Sequence, residues 1–512
     1  MFRIFGPPGT GKTTTLLNMV DKALEAGTPP QSIGFLAFTR KAATEAKERA
    51  AARFRLDPQK DLQYFRTLHS FALSLSGIRP EQIMQPENYK ELSEAMGIKL
   101  ETGRVNQLEE DVQDAVKASD PILGLINLAR LKKTSLRKEY NLSSIEHDWN
   151  TVNHVDRSLR SYKHESGLYD FTDMLQGFID KGHQFCPRFN LCFVDEAQDL
   201  SPLQWAVVRK VAEKAKKIYV AGDDDQAIYK WAGADVDYLI SNSKNAMVLK
   251  QSYRVPSSVH EVASRCIGQV RSRIHKEWTP RKDEGVVRWE PTIELVNMEK
   301  GDWLVLARTN YLLEDVDEYC RNEGWFFEVK GRPSISEAKV RAVIYWERLR
   351  KGETVSLNEC ANILKYVKVD KHKKLDLLDS DLTMQYQDLK SHFPDLPEGN
   401  WYDVFTLLSP SEVSYIRAML RRGEKITKQP RIRLSTIHAA KGGEATNVVL
   451  LTDITTRVYK NYQKNTHAPE IYPTVTMSEP KRPDFSNIVP NWHSLGIYFC
   501  RPRLRDVCGF SV

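Results

Sequence analysis

A glycine-rich loop near the start of the chain is the feature that most restricts the fold. Residues 6–13 read GPPGTGKT and match the pattern G-x-x-x-x-G-K-[ST]. An apolar strand precedes the loop at 3–5, and an amphipathic helix follows it at 13–24. A strand, a glycine loop and a helix in this order let backbone N–H groups close around phosphate oxygens. A chance glycine turn is the alternative, and the flanking strand and helix disfavour it.

The individual positions of this loop have distinct expected roles. The Lys12 ammonium would reach the β and γ oxygens of a nucleotide, and the Thr13 hydroxyl would ligate Mg²⁺. The expected nucleotide-binding residues are Gly6, Pro7, Pro8, Gly9, Thr10, Gly11, Lys12, Thr13 and Thr14.

An acidic strand end supplies the expected partner of the loop. Residues 193–199 read FVDEAQD, so an apolar strand ends in two adjacent carboxylates. Asp195 is placed to hold Mg²⁺ together with Thr13, and Glu196 to orient and deprotonate the attacking water. A solvated acidic strand end would explain this segment by itself, but the phosphate loop favours the catalytic interpretation. Together the two elements predict hydrolysis of ATP or GTP without indicating what that hydrolysis drives.

The composition disfavours several other classes of protein. With 512 residues, of which 41% are hydrophobic and 28% charged, the chain is long enough for roughly three globular domains. No apolar run approaches the ~18 residues of a membrane span. The seven cysteines are scattered without a CxxC pair, which favours reduced thiols in a cytoplasm over a disulfide framework or a zinc site. The net charge of +7 weakly favours a polyanionic partner.

Short apolar runs alternate with helical patterns through most of the chain, which predicts parallel sheets wrapped by helices. Two polar, helical stretches interrupt this alternation, and strand patterns resume after each. We therefore predict an α/β fold whose two cores carry helical insertions; separate helical domains joined by linkers are the alternative. The predicted ranges are 1–72 and 166–248 for the first core, 73–165 for its insertion, 249–334 and 426–512 for the second core, and 335–425 for its shorter insertion.

Five further segments occur in an order that carries a family resemblance. They are TLHSFA at 67–72, AGDDDQAIYKWAGA at 221–234, LKQSYRVPSS at 249–258, LARTN at 306–310 and STIHAAKGGEATNVVLL at 435–451. With the phosphate loop and the acidic strand end, this series resembles the motifs of superfamily 1 DNA helicases of the UvrD/Rep/PcrA type. The resemblance covers both predicted cores outside the insertions, and several independent motifs in the right order make it specific.

The resemblance implies two RecA-like P-loop motor domains that bind ATP and Mg²⁺ between them. It further implies an enzyme that moves along single-stranded DNA, 3′ to 5′, and unwinds duplex DNA in replication, repair or recombination. The expected partners are single-stranded DNA and junctions between single and double strands, with a monomer sufficient for movement and replication or repair proteins as further partners. A translocase that displaces proteins without unwinding is one alternative, and an ATP-gated DNA-binding module with weak turnover is another.

On the nucleotide side, the resemblance assigns four more residues. Gln226 matches the glutamine that touches the γ-phosphate and links the ATP state to the grip on DNA. Arg254 matches an arginine of the second core that neutralises charge developing on the γ-phosphate. Tyr253 matches a ring that stacks on adenine, with an ordinary core aromatic as the alternative. Glu444 matches the glutamate that binds the ribose, with a surface glutamate in a glycine turn as the alternative.

On the DNA side, the matches are hydroxyls, imidazoles, guanidiniums and aromatic rings at predicted loop ends. Such polar groups suit contacts with the DNA backbone, which carry no sequence information. Tyr229 and Trp231 match rings on which bases stack, and core packing is the alternative for either ring. The expected DNA-binding residues are Phe38, Thr39, Arg40, Thr67, His69, Tyr229, Trp231, Arg308, Thr436 and His438.

The chain departs from the family pattern at several points. In YFCRPRLRD at 498–506, Arg503 falls where the second γ-phosphate arginine is expected, and a solvated basic tail is the alternative. Ala232 replaces an arginine that commonly follows the aromatic pair, so one DNA or interdomain contact is expected to be lost. The family segment whose glutamine reads adenine has no match before the first strand, which leaves the choice of base open.

Three consecutive aspartates, Asp223–Asp225, raise the question of a second metal site. Because Asp195 already fills the metal-binding role, we interpret the three carboxylates as residues that shape the turn before Gln226.

Overall fold

The computed structural model describes most of the chain. The described residues are 1–38, 40–100, 120–241, 246–270, 273–369, 382–426, 429–453 and 496–501, with only the backbone described for residue 41 and for 496–501. Within this part of the chain, no helix combines the length and the apolar character that a membrane crossing requires.

The first sheet has six strands, all paired in parallel, in the order β3-β2-β4-β5-β1-β6. Its strands are β1 (Phe2–Phe5), β2 (Ile33–Ala37), β3 (Phe65–Thr67), β4 (Phe189–Val194), β5 (Ala215–Gly222) and β6 (Met247–Val248). β2 reads IGFLA and is buried along its whole length, as a strand with helices over both faces of its sheet must be.

The second sheet has seven strands in the order β10-β9-β13-β8-β14-β15-β7. They are β7 (Val286–Thr292), β8 (Trp303–Ala307), β9 (Phe327–Val329), β10 (Arg332–Pro333), β13 (Ile432–Thr436), β14 (Asn447–Leu451) and β15 (Gly496–Arg501). Its pairings are parallel except for the β9–β10 hairpin. A separate antiparallel pair joins β11 (Val355–Ser356) to β12 (Thr383–Met384).

Helices cover the two sheets and form most of the segments between their strands. Up to the end of the first sheet they are α1 (Lys12–Glu25), α2 (Arg40–Phe54), α3 (Leu68–Ser76), α4 (Pro86–Met96), α5 (Pro121–Leu131), α6 (Leu136–Leu142), α7 (Trp149–Ser166), α8 (Phe171–Asp180), α9 (Pro202–Ala212) and α10 (Asp237–Ile240). Beyond it they are α11 (Ser257–Ile267), α12 (Glu314–Asn322), α13 (Glu337–Arg350), α14 (Leu357–Leu364), α15 (Tyr386–His392), α16 (Trp401–Val404) and α17 (Pro410–Arg422).

Short 3₁₀ helices occupy several of the connections. They are Pro30–Ser32, Pro80–Gln82, Gly182–Phe185, Ala197–Asp199, Asp224–Gln226, Lys230–Ala232, Ile293–Leu295 and Asn310–Leu313. Two of them, Ala197–Asp199 and Asp224–Gln226, begin within three residues of the carboxyl ends of β4 and β5. The predicted α/β class with parallel sheets is confirmed.

The two predicted insertions pack in different ways. Helices α4, α5 and α7 bury their own apolar cluster, with Val152 and Val155 fully buried at its centre. Helices α13 to α17 instead share one core with a face of the second sheet, which includes Trp346 from α13 and Val305 from β8. The second insertion is therefore continuous with the core of the sheet that carries it.

Candidate nucleotide site and nucleic-acid interface

Three loops meet at the carboxyl edge of the first sheet. β5 lies between β1 and β4, with Phe5 opposite Gly222 and Val194 opposite Val220. Because these strands run parallel, the residues that follow each of them emerge side by side. The phosphate loop, the acidic strand end and the aspartate turn, which are far apart in sequence, thus form one surface.

The phosphate loop wraps around its own lysine. Gly9 and Gly11 have φ values of +72° and +76°, a left-handed conformation that favours glycine. The buried Lys12 ammonium donates to the Gly6 carbonyl at 2.9 Å, and a β-carbon on Gly6 would collide with the Lys12 side chain. Thr10 donates its hydroxyl to the Pro7 carbonyl at 2.8 Å. The loop is therefore closed on itself, with Lys12 as the group at its centre.

The two predicted metal-site residues are in contact. The Thr13 hydroxyl donates to Asp195 Oδ2 at 2.6 Å, and the Glu196 N–H donates to Asp195 Oδ1 at 2.9 Å. Burial, reinforced by repulsion from Glu196, raises the pKa of Asp195 to about 6. A bound cation between Thr13 and Asp195 would offset that burial and favour the ionised carboxylate.

Glu196 sits in a left-handed backbone conformation, with φ of +54°, that is uncommon for a residue with a side chain. Its carboxylate accepts a hydrogen bond from the Gln198 amide. Burial alone would raise the pKa of Glu196, but attraction to Lys12 and Lys441 outweighs it, so the pKa lies below its usual value. Glu196 is thus held as a carboxylate, the form that accepts a proton from water.

These residues fit a nucleotide with Mg²⁺. Mg²⁺ takes oxygen ligands and is commonly held by one or two carboxylates together with substrate phosphates. Thr13 and Asp195 supply one hydroxyl and one carboxylate beside the phosphate loop. In the described ranges, no group of three or more His, Cys, Asp and Glu side chains is arranged to hold a metal ion.

Gln226 follows the aspartate turn and is buried beside it. Its amide nitrogen donates to Asp223 Oδ2 at 2.5 Å, whereas its Oε1 atom is buried without a hydrogen-bond partner in the described structure. The three aspartates that precede it contact the Lys276 ammonium. They therefore form an ion cluster with a lysine, and their carboxylates also fix the turn, since the Asp225 N–H donates to Asp223.

A segment beyond the first sheet closes onto the phosphate loop. The Ser252 hydroxyl donates to the Pro8 carbonyl at 2.8 Å, and the Tyr253 N–H donates to the Gly9 carbonyl at 2.9 Å. The Tyr253 ring is 72% exposed, so it is not a core aromatic. Arg254 lies against Gly9, where a β-carbon would collide with it, and makes an ion pair with Glu444 at 2.7 Å.

Lys441, which lies beyond β13 of the second sheet, contacts residues at the carboxyl edge of the first sheet. The sequence analysis did not single out this lysine. Its ammonium donates to Asp199 and, at 3.3 Å, to the Gln226 carbonyl, and it lies 4.9 Å from the centre of the Tyr229 ring. Burial raises the pKa of Asp199 to about 7 in spite of the attraction of Lys441. The available signal was the lysine of the KGGE run, three residues before Glu444.

An aromatic cluster lies beyond Gln226. The Tyr229 ring centre is 6.2 Å from those of Phe38 and His438, and the Trp231 ring meets His438 edge to face at 5.9 Å. The Tyr229 hydroxyl donates to the His438 carbonyl at 3.0 Å. Tyr229 is only 3% exposed and corresponds to the core-packing alternative, whereas Trp231 is 41% exposed and offers a surface.

Several predicted DNA-side residues have structural partners. The Thr67 hydroxyl accepts from the Ser70 N–H at 3.2 Å and caps the N-terminus of α3. The Thr436 hydroxyl accepts from the Ala439 N–H at 3.2 Å. His69 is buried, and that burial lowers its pKa to about 4, so the imidazole is neutral. A neutral imidazole offers a phosphate no positive charge, and the predicted contact of His69 with DNA stays a prediction.

The remaining predicted residues divide into two groups. Arg40 begins α2 with an exposed side chain, and Arg308 directly follows β8 at the carboxyl edge of the second sheet. Thr14 is exposed on the first turn of α1. Thr39 and Arg503 lie outside the described residues.

Comparison with known proteins finds DNA helicases among the relatives of this chain. Residues 2–247 match the family described as the UvrD/REP helicase N-terminal domain. The ATP-dependent DNA helicase PcrA of Leuconostoc citreum is 26% identical over 369 residues, or 66% of this chain and 48% of the relative. PcrA of Bacillus subtilis is 28% identical over 294 residues, which are 54% of this chain and 39% of the relative. A probable DNA helicase of Mycoplasma pneumoniae is 28% identical over 288 residues, which are 51% of this chain and 52% of the relative. The aligned part of this chain thus spans about half the length of these relatives, or less.

Proposed function

We propose that this chain, whose residues 2–247 match the UvrD/REP helicase N-terminal domain family, is a DNA-dependent ATPase that moves along single-stranded DNA and unwinds duplexes. The observation that carries the proposal is a chain of contacts that starts at the phosphate loop, where the Gly6 N–H donates to the Gly222 carbonyl at 3.1 Å, and runs through the aspartate turn to the aromatic cluster. Gln226 lies between the two, and Lys441 contacts its carbonyl, Asp199 and the Tyr229 ring. A shift of the groups around the nucleotide would therefore alter the position of Trp231.

In this proposal, nucleotide binding and hydrolysis use residues at the carboxyl edge of the first sheet together with Tyr253, which lies beyond that sheet. The phosphate loop would bind the phosphates, Lys12 would leave the Gly6 carbonyl for a phosphate oxygen, and Glu196 would take a proton from the attacking water. Bound Mg²⁺, held by Thr13 and Asp195, would neutralise phosphate charge. Tyr253 would lie against the base.

Three further groups would sense the γ-phosphate and the sugar. The Oε1 and amide of Gln226 can accept from water and donate to a phosphate oxygen. The guanidinium of Arg254 would exchange Glu444 for the γ-phosphate, which frees that glutamate for the ribose. We keep Arg503 as a second arginine for this phosphate.

The DNA contacts are assigned to the far side of Gln226. The exposed ring of Trp231 suits base stacking, which tolerates any sequence, and His438 would support it from the edge. Arg40 and Arg308 would bind phosphates, so affinity should fall steeply with salt. Tyr229 would act from beneath the surface by fixing the position of His438.

We extend the proposal to the architecture and the direction. Two RecA-like motor domains, 1–72 with 166–248 and 249–334 with 426–512, would close on ATP and reopen after hydrolysis. Alternating grips on the strand then give movement in one direction, which we propose to be 3′ to 5′. A monomer would suffice for this movement, and junctions between single and double strands would be the site of unwinding.

The decisive experiment compares duplexes with a 3′ tail, a 5′ tail and no tail. We expect ATP-dependent unwinding of the 3′-tailed duplex, and ATPase activity that single-stranded DNA stimulates. Lys12→Ala should lower both by about 10²–10³-fold, because the phosphates lose a charged partner. Lys22→Ala, at an exposed position on the same helix, is the matched control.

Other outcomes would select another function. Stimulated ATPase without unwinding, but with release of a protein block from single-stranded DNA, would identify a translocase. DNA binding that responds to ATP without stimulated turnover would identify an ATP-gated binding module.

A further inference from the structure

One segment beyond α11 contacts both sheets. Residues 273–278, which we call the strap, follow the helix that packs on the second sheet. Within the strap, Ile274 packs against the apolar cluster of the first sheet, while Trp278 packs against the cluster of the second. The strap therefore links α11 and the second sheet to the first sheet through side chains only four residues apart.

The strap places a buried ammonium among the three aspartates. Lys276 Nζ lies 3.1 Å from Asp223 Oδ1 and 2.9 Å from Asp225 Oδ2, and it donates to Asp224. The Lys276 side chain is fully buried. Three adjacent carboxylates repel one another, so the turn keeps this shape only while a cation lies between them.

Two more contacts fix the strap on the same turn. Arg273 binds Asp225 with two nearly parallel hydrogen bonds of 2.8 and 2.7 Å, the geometry in which a guanidinium and a carboxylate pair most strongly. The Ile274 N–H donates to Asp224 Oδ2 at 2.7 Å. Each of the three aspartates thus has at least one partner on the strap.

Asp223 connects this cluster to Gln226. One carboxylate oxygen, Oδ1, faces Lys276, and the other, Oδ2, accepts the Gln226 amide at 2.5 Å. A rotation of the Asp223 carboxylate would therefore move the Gln226 amide. The Gln226 amide is thus hydrogen-bonded to a carboxylate that also faces the strap, while its Oε1 remains unpartnered in the described structure.

We infer that Arg273 and Lys276 are positioning residues, through which the position of the second sheet sets the orientation of the Gln226 amide. The inference rests on the proposed function, in which Gln226 contacts the γ-phosphate. When α11 and the second sheet move, the strap carries the aspartate turn with it, and the turn reorients the amide. Neither Arg273 nor Lys276 touches the nucleotide or the DNA in this scheme.

Arg273→Gln is the appropriate test, because it removes two hydrogen bonds at the rim of the cluster and leaves the buried Lys276 in place. We expect the ratio of ATPase kcat with single-stranded DNA to kcat without it to fall about tenfold. The KM for ATP and the Kd for DNA should stay within about twofold, since no binding group is lost. Arg265→Gln, which removes an exposed ion pair with Glu261 on α11, is the matched control.

A double-mutant cycle separates positioning from a general loss of structure. If Arg273 acts through Gln226, Arg273→Gln should have no further effect on the stimulation ratio in a Gln226→Ala background. Lys276→Arg, which keeps the charge at the centre of the cluster, should retain more of the stimulation than Lys276→Met.

Two results would overturn the inference. One is a stimulation ratio for Arg273→Gln that matches that of the wild type. The other is an equal loss from Arg273→Gln with and without Gln226. If the wild type itself shows no stimulation by DNA, the proposed function fails instead, so the two failures are distinguishable.

Discussion

The two sides of the proposed nucleotide site are built differently. On the first sheet, Lys12, Asp195 and Gln226 are buried and bonded to neighbours on the same edge. On the other side, Tyr253 is largely exposed, and Arg254 and Glu444 are partly exposed and paired with each other. The first side is organised before a ligand arrives, whereas the second has long side chains that a ligand can reorganise.

The difference follows from the cost of burying charge. A lysine or carboxylate that leaves water must find a partner, and Lys12 and Asp195 find theirs on the first edge. Exposed side chains pay little to change partners, so Arg254 can leave Glu444 without a large loss. The contrast predicts that substitutions on the first edge affect chemistry most, and those on the second affect it less.

The largest expected effect comes from Glu196→Gln, which keeps the shape of the side chain and removes the proton acceptor. We expect DNA-stimulated ATP turnover to fall by about 10²–10⁴-fold while nucleotide binding is retained. Steady-state ATPase assays and titration with a fluorescent nucleotide would measure the two quantities. Glu213→Gln, an exposed substitution after α9, is the control, and a loss of less than tenfold would remove Glu196 from the chemical step.

A smaller effect is expected on the second side, from Arg254→Gln. Removal of one donor to developing charge should lower kcat by about a hundredfold. The unfolding midpoint should not change, because a part-exposed ion pair with Glu444 contributes only ~0–1 kcal/mol. Arg254→Lys should not restore turnover, since an ammonium lacks the planar fork.

Arg341→Gln, which removes an exposed pair with Glu337 on α13, is the control for this substitution. Equal stability of both variants, with loss of turnover confined to Arg254→Gln, would support the contrast between the two sides. A marked loss of stability in Arg254→Gln would break it.

The smallest expected effect concerns burial on the first edge itself. The pKa of His69 is lowered by burial from 6.5 to about 4. Between those values the unfolded chain binds a proton that the folded protein does not, so stability falls as pH falls through this window. The contribution is at most about 3 kcal/mol.

His69→Gln should therefore show a smaller difference in the free energy of unfolding between pH 7 and pH 4 than the wild type. Urea unfolding at the two pH values measures it, and His147→Gln, at an exposed position, is the control. An unchanged difference in His69→Gln would mean that this imidazole does not contribute to the acid sensitivity.

Much of the fold was predictable because its signals are local. The alternation of apolar runs and helical patterns predicted parallel sheets, and the glycine loop predicted the strand and helix that flank it within a residue or two. The parts of the site that belong to one continuous segment, such as Lys12 with Gly6, follow directly from such patterns.

The rest of the site depends on contacts between distant segments. Lys441 meets Asp199 across 242 residues, and Lys276 meets Asp224 across 52. Both lysines look like ordinary solvated charges in the sequence. Tyr229 and Trp231 illustrate the same limit, since two aromatic residues two positions apart gave no indication that one is buried and the other exposed.

The sequence by itself determined the α/β class and the strand and helix that flank the phosphate loop, because periodicity and loop patterns are encoded in neighbouring residues. Only the tertiary structure decided what the three aspartates do. They are ion partners of a buried lysine, and this role exists only because parallel strands and a returning strap bring separate segments to one edge. Electrostatic pairing of this kind depends on distance in space, which sequence spacing does not record.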